Sequence, residues 1–594
     1  MAKLARYIRN AGALVAFGAL ASSAIAGKRV STPADLIITG TRVWTVDKAH
    51  PEAEAIAIKG DRIVAVGSTR AILALAGPKT RRIELHGGLV LPGFVDTHTH
   101  FGNAVDAYFT VRTIDVADQA KLDERLAEAV KRVPKGMWIT SADMGAFAGS
   151  AAAKRKDRDF KPFVPDLAAI DRLTPDHPIY LKRYDGAAFI NSRAIALARI
   201  TPQMPDPANG RYVKDEKTGA LTGLLLGSAA AKTANILPPP TLARNELAGR
   251  AIVRELNALG ITGIHDISRI DALSQQIVFP VDVERSFTDL RILQQLRTDK
   301  FLTLHVDPIL SIAEWDRYRT VGIRPGSGDD RFHYGVLKLL LDSAYMSAPF
   351  ANDPTWSGGL SYRITNIAKT KADMVGADRL GFDVATHVVG DLGVQFVLDA
   401  FAGARAANGP RDRRWRMIHM WYPSFAQVAE AGRDHMIIDV QPYQLIEQLK
   451  SIDGDLGPER AKSAFPWRTA IDDGMIVDLG SDWPGSYDGV NIAPNDPLLL
   501  IYYAVTRRPY PDAGAAPWHP EQAMTVPEAI AAYTLNPAFA TREEGVSGSI
   551  SVGKRADIVI LSDDILKIPV SNIPKTKVRF TIVDGAVVWR ALSD

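Results

Sequence analysis

Two histidines one residue apart, His98 and His100, close the run Leu89-Val-Leu-Pro-Gly-Phe-Val-Asp-Thr-His-Thr-His. The apolar first half of this run reads as a buried strand. Because strand side chains alternate, both imidazoles then share one face at the strand's end. Two neutral imidazoles on one face can hold a divalent metal ion. Two polar residues opening a loop would look the same, so the pair alone leaves both readings open.

The elements that would position these histidines recur along the chain. Apolar runs of strand length ending in polar residues stand at Leu89–Asp96, Ile261–Asp266, Phe301–Val306, Val336–Asp342, Phe382–His387, Arg416–His419, Met436–Gln441 and Met475–Asp482. Helical patterns such as Leu242–Leu259, Gly393–Ala406 and Val526–Tyr533 lie among them. Eight β/α units close a parallel barrel whose active site lies at the strand C-terminal ends. His98, His100, His265, Asp266, Asp342, His387, His419 and Asp482 fall at or just past those ends, and Lys338 falls within its strand. Short alternating runs broken by Gly and Asp fill residues 35–88 and 545–594, which predicts one small β-sandwich built from both chain ends. The predicted fold class is therefore α/β, a (β/α)8 TIM-like barrel over 89–544 plus that sandwich. Residues 102 to about 245 form an insertion with strands of its own at Met137-Trp-Ile-Thr and Ile179-Tyr-Leu-Lys-Arg-Tyr-Asp, and a basic stretch, Lys154-Arg-Lys-Asp-Arg, reads as a solvated loop. An insertion at the mouth of a barrel can serve as a lid.

Composition narrows the function. With 594 residues and 46% hydrophobic content the chain can bury a large core, and 70 Lys and Arg nearly balance 67 Asp and Glu. No long basic run is present, which argues against a nucleic-acid partner and for a small-molecule substrate. There is no cysteine, so neither a disulfide nor a thiolate nucleophile is available. Residues Met1–Ala26 carry Lys3, Arg6 and Arg9, an apolar run from Ala11 to Leu20, and Ala24-Ile-Ala26. This pattern predicts a secretory signal peptide removed after Ala26, with the periplasm as destination. A membrane anchor is the competing reading, but the apolar run is shorter than the roughly 20 residues that span a bilayer. No stable anchor is expected after cleavage.

Four further positions join the histidine pair. They are Lys338 in Gly335-Val-Leu-Lys-Leu-Leu-Leu-Asp342, His387 in Phe382-Asp-Val-Ala-Thr-His-Val-Val-Gly-Asp391, His419 in Arg416-Met-Ile-His and Asp482 in Asp478-Leu-Gly-Ser-Asp-Trp-Pro484. With these, the chain resembles the amidohydrolase superfamily, in the branch that looks like N-substituted formamide deformylase (amidohydrolase family 3). The likeness runs from about Asp35 to Trp589. Its most specific pieces are Pro92-Gly-Phe-Val-Asp-Thr-His-Thr-His, His387-Val-Val-Gly-Asp, Gly480-Ser-Asp-Trp-Pro, Tyr533-Thr-Leu-Asn-Pro and Gly553-Lys-Arg-Ala-Asp-Ile-Val. The resemblance implies a metal centre held by His98, His100, His387 and His419, with Asp482 as proton-transfer base and metal ligand. It also implies a carboxylated Lys338 bridging two metals.

The residue types suit that chemistry. Imidazoles and carboxylates are the usual zinc ligands, and one or two such ions activate water. A lysine ammonium repels a divalent cation, whereas its carbamate is an anionic oxygen ligand. Other roles stay open: Lys338 as an ordinary lysine paired with Asp342, His387 and His419 as core histidines, and Asp482 as a turn cap. Asp391 reads as a helix cap and His265 as either a support for the ligands or a structural residue. His50, His86, His177, His305, His333, His435 and His519 read as structural or surface. Members of the branch carry Asp-Gly-His in the insertion and Asp-Gly after the lysine strand, where this chain has Asp185-Gly186-Ala187 and Asp342-Ser343. The predicted function is exported, metal-dependent hydrolysis of a non-peptide amide-type carbon–nitrogen bond in a small molecule by activated water. An esterase, lactonase or cyclic amidase would use the same machinery. A binding protein that had lost turnover would have no need of a proton shuttle.

Overall fold

The computed structural model describes residues 33–146, 162–267, 283–352, 364, 366–485, 493–511 and 514–592. The signal segment Met1–Ala26 and the basic stretch Lys154–Arg158 lie outside them. Eight strands form the barrel: β1 (Phe94–Thr99), β2 (Ile261–Ile267), β3 (His305–Ser311), β4 (Val336–Leu340), β5 (Asp383–Gly390), β6 (Arg416–Tyr422), β7 (Ile437–Val440) and β8 (Ile476–Leu479). Neighbours in this order pair in parallel. A Thr99–Trp483 bridge, with Asp482 N–H donating to His98 O at 2.8 Å and His100 N–H to Trp483 O at 2.9 Å, brings the two ends of the sheet together. Both faces of such a sheet are covered, which is why these strands read as near-continuous apolar runs.

Two strand boundaries differ from expectation. Leu89–Pro92, expected as the start of the first barrel strand, belongs instead to the sandwich, antiparallel to Ile558–Leu561 and parallel to Arg42–Trp44. The chain passes from sandwich to barrel at Gly93, where a Cβ would stand 2.3 Å from the Thr262 side chain, so only glycine lets the two elements abut. The third strand is His305–Ser311, not Phe301–Val306. Pro308 cannot donate to a ladder and makes that segment read as a break. Pairing of Gly263–Ile267 with His305–Ile309 holds it in the sheet nonetheless.

The sandwich stacks a four-stranded sheet (Arg62–Gly67, Ala55–Lys59, Leu36–Thr39, Arg81–Glu84) on a six-stranded one made from both chain ends. Ile38, Val43, Ile56, Ile58, Val90, Ile558, Ile560 and Ile582 fill the space between them. The insertion forms a five-stranded sheet in the order Gly210–Lys214, Leu221–Gly227, Ala188–Ile190, Ile179–Arg183, Ile139–Met144. Its helix Gln119–Arg132, capped by Asp118, buries Leu122, Leu126 and Ala129 along one face, as helical spacing dictates. Among the described residues no helix is long and apolar enough to cross a membrane.

Candidate metal centre

The C-terminal ends of β1, β5, β6 and β8 bring His98, His100, His387, His419 and Asp482 together. Asp482 Oδ1 lies 3.3 Å from His98 Nε2 and 3.1 Å from His100 Nε2. The His419 ring is 5.3 Å from that of His98 and 4.3 Å from that of His387. His98 and His419 are buried, while His100, His387 and Asp482 keep partial exposure toward the mouth. Lys338, buried within β4, is close enough for its charge to act on His98, His387, His419 and Asp482.

Backbone strain marks two of these positions. His419 (φ 72°) and Asp482 (φ 60°) both occupy the left-handed region that favours glycine. Such conformations persist only where the surroundings impose them, and they gather at functional sites.

The electrostatics favour ligands. Burial, reinforced by the charge of Lys338, holds His98 well below the usual imidazole range. Burial and the neighbouring His419 do the same for His387. Burial pushes His419 down to about 4. All three are neutral at physiological pH and offer a lone pair. Burial pushes the Asp482 carboxyl up, but its hydrogen bond with His100 and the positive groups around it outweigh this and leave it below the ordinary value. The site therefore couples neutral imidazoles to an ionised carboxylate, the donor set of a divalent ion.

A layer of polar side chains orients these groups. The His100 Nδ1 faces Ile267 O at 3.1 Å. His419 Nδ1 faces Gln441 Oε1 at 2.6 Å and Gln444 Oε1 at 2.9 Å. His387 is tied to the backbone of Asp342. These contacts leave the Nε2 atoms of His100 and His419 as the ligating ones, the arrangement that fixes metal-bound imidazoles elsewhere. Gln441 donates to Asp439 Oδ1 at 2.9 Å, which also accepts from Thr97 at 3.0 Å. Asp96 accepts from Ser481 Oγ (2.6 Å) and from the backbone of Ser481 (2.9 Å) and His98 (3.1 Å). Desolvation pushes Asp96 up to about 6 and Asp439 up to about 7.

Other expectations resolve differently. The Asp342 carboxylate accepts from the backbone N–H groups of Val389, Gly390 and Tyr345 at 2.8, 2.9 and 2.8 Å. Asp391 opens the helix Asp391–Asn408 and accepts from Leu392 N (3.0 Å) and Ser347 N (2.8 Å). His265 stands away from the cluster, its Nδ1 2.8 Å from the buried Arg416 guanidinium. Asp185 pairs with Arg183. Gln441, Gln444, Asp96 and Asp439 escaped the sequence reading, although carboxylates inside the apolar strands Phe94–Thr99 and Ile437–Val440 are themselves a signal.

The model of the Amidohydrolase family matches residues 81–589. The chain belongs to that family. The amidohydrolase is 28% identical over 544 residues to Protein LONG AFTER FAR-RED 3 of Arabidopsis thaliana, covering 89% of this chain and 87% of the relative. It is 28% identical over 585 residues to N-substituted formamide deformylase of Arthrobacter pascens, covering 93% and 98%. A solved structure of an uncharacterized metal-dependent hydrolase from Pyrococcus furiosus shares the fold, with TM-score 0.63 and 23% identity over 90% of this chain and 100% of that one. The amidohydrolase is thus a metal-dependent hydrolase of carbon–nitrogen bonds.

Proposed function

We propose that this amidohydrolase cleaves a non-peptide amide-type bond of a small molecule, with Asp482 as the proton-transfer group. The observation that carries this reading is the placement of Asp482 Oδ1 within 3.3 Å of His98 Nε2 and 3.1 Å of His100 Nε2 at the barrel's C-terminal end. His98, His100, His387, His419 and Asp482 would hold one or two divalent ions, zinc being the ion best suited to this donor set. A bound ion polarises the carbonyl and acidifies the attacking water. The carboxylate of Asp482, held in its ionised form by its hydrogen bond with His100, accepts a proton from that water and passes it to the leaving nitrogen. Lys338, buried among the imidazoles, would lose its ammonium proton, add carbon dioxide through the free amine and release a second proton, so that an anionic carbamate oxygen donor replaces a repelled ammonium. The deformylase relative supports an acyl group on nitrogen as the bond attacked. Met1–Ala26 directs export and is removed, leaving the enzyme in the periplasm.

Metal analysis of the purified protein, followed by a screen of N-acyl amides and matched esters, tests the reading. The expected result is a zinc-type ion at one or two per chain, lost in the His98→Ala, His100→Ala double variant, and turnover of N-acyl amides. A folded parent without metal, or a double variant with unchanged metal, overturns it. Intact mass of exported protein checks cleavage after Ala26.

A further inference from the structure

An indole N–H can donate a hydrogen bond but cannot accept one. Trp421 Nε1 lies 3.0 Å from Gln444, so it must face the carboxamide oxygen. This orients the whole amide: Oε1 faces Trp421 and His419, and the NH2 group faces Asp482 Oδ2 at 2.9 Å. Two consequences follow from that one assignment. His419 Nδ1, 2.9 Å from an oxygen that only accepts, must carry the ring proton, which places the lone pair on Nε2. Asp482 Oδ2 is held as an acceptor, which leaves Oδ1 turned toward His98 and His100.

We propose that Gln444 is a positioning residue of the hydrolytic centre, whose carboxamide, oriented by Trp421, sets the rotation of Asp482 and, together with Gln441, the tautomer of His419. The proposal rests on the metal-dependent reading given above. Gln444 sits in the helix Pro442–Gln448, which begins directly after β7, so the short path from Gln441 to Gln444 carries both amides that meet His419. A packing role alone would require only volume at this position. The hydrogen-bonding role requires an acceptor on one side and a donor on the other.

Three variants separate the two halves. Gln444→Met keeps length and volume and removes both hydrogen-bonding ends. Gln444→Glu keeps acceptors for Trp421 and His419 but sets an oxygen against Asp482. Trp421→Phe leaves Gln444 in place and removes the N–H that orients it. Metal retention is read by titration with a chelator, which needs no substrate, and kcat and KM are read on the best amide from the screen. Gln444→Met should release metal about 10–100-fold more readily than the parent and lose about 10–100-fold in kcat with KM nearly unchanged, the usual worth of a group that orients a ligand. Gln444→Glu should retain metal within about threefold and lose kcat to a similar extent, because only the Asp482 side is disturbed. Trp421→Phe should show a smaller loss in kcat, and it and Gln444→Glu carry the test if Gln444→Met fails to fold.

A folded Gln444→Met that matches the parent in metal retention and kcat overturns the proposal. Equal metal loss in Gln444→Glu and Gln444→Met overturns its tautomer half. A parent that holds no metal overturns the functional reading along with it. That outcome is distinct from failure of the Gln444 proposal alone, in which the parent holds metal and the variants match it.

Discussion

At Asp482 a single carboxylate meets two demands, since Oδ1 faces two histidines and Oδ2 is held by an amide, on a backbone with φ 60°. Asp482→Asn preserves size and one carbonyl oxygen but cannot take up a proton. Metal content should stay at the parent level while kcat falls by about 10²–10⁴, the worth of a positioned general base. Metal loss with activity restored by added metal would make ligation, and not proton transfer, the main task of Asp482. The histidine pair was legible because a strand's period of two puts His98 and His100 on one face whatever the rest of the fold does. Gln441 and Gln444 were not legible. A neutral amide carries neither charge nor hydrophobic periodicity, and its role exists only once Trp421, His419 and Asp482 surround it.

The elements that hold these residues are closely fitted. Gly480, just past β8, faces β1: a Cβ there would lie 2.7 Å from His98 Cβ and 2.8 Å from His98 N. Backbone cannot yield to a methyl group as a flexible side chain can. Gly480→Ala should therefore cost about 1–3 kcal/mol of stability, as overpacking does, and weaken metal retention by displacing His98. Urea unfolding with parallel metal analysis checks both; parent-like values in both would show that the strands separate freely. Asp342→Ala tests the neighbouring corner. It strands two backbone N–H groups at the end of β5 and that of Tyr345 past β4, and should cost about 1–3 kcal/mol while loosening His387. A melting temperature within a degree of the parent would count against that account. The eight barrel strands were legible as apolar runs with polar ends. Their exact limits were not, because Gly93 and Pro308 act through contacts with Thr262 and β2 that no local pattern announces.

At the scale of the molecule, barrel and sandwich meet over buried charge. His305 Nε2, at the start of β3, lies 3.2 Å from Asp557 and 3.4 Å from Asp584, both contributed by the sandwich. Its Nδ1 faces Asp330 O at 2.5 Å, with Arg555 3.3 Å away, and Arg331 also pairs with Asp584. Burial alone would lower the imidazole, but the charges and hydrogen bonds of Asp557 and Asp584 override it and push His305 up to about 10. A group raised on folding stabilises fully below its unfolded value near 6.5, and that contribution drains away as pH climbs through about 10. His305→Gln should lower stability by about 3–5 kcal/mol near neutrality, as breaking a buried pair does, and flatten the decline between pH 7 and 10. Thermal melts across that range check it, and parallel pH profiles for parent and variant would refute it. Sequence reading placed His305 among structural histidines, since its partners stand at 557 and 584 and no local motif joins them. The fold class and family were legible because strand count, end composition and dispersed motifs all point the same way.

The sandwich strand Leu89–Pro92 leads directly into β1, yet its antiparallel neighbour Ile558–Leu561 is synthesised only after the whole barrel. The support beneath the first metal-site strand is therefore absent until Ile558–Leu561 has been translated. Nascent chains arrested before residue 558 should remain open to protease at their N-terminal region, and protection should arrive abruptly once Ile558–Leu561 emerges. Such an order of assembly delays a closed, metal-ready barrel until the strands after residue 557 are available.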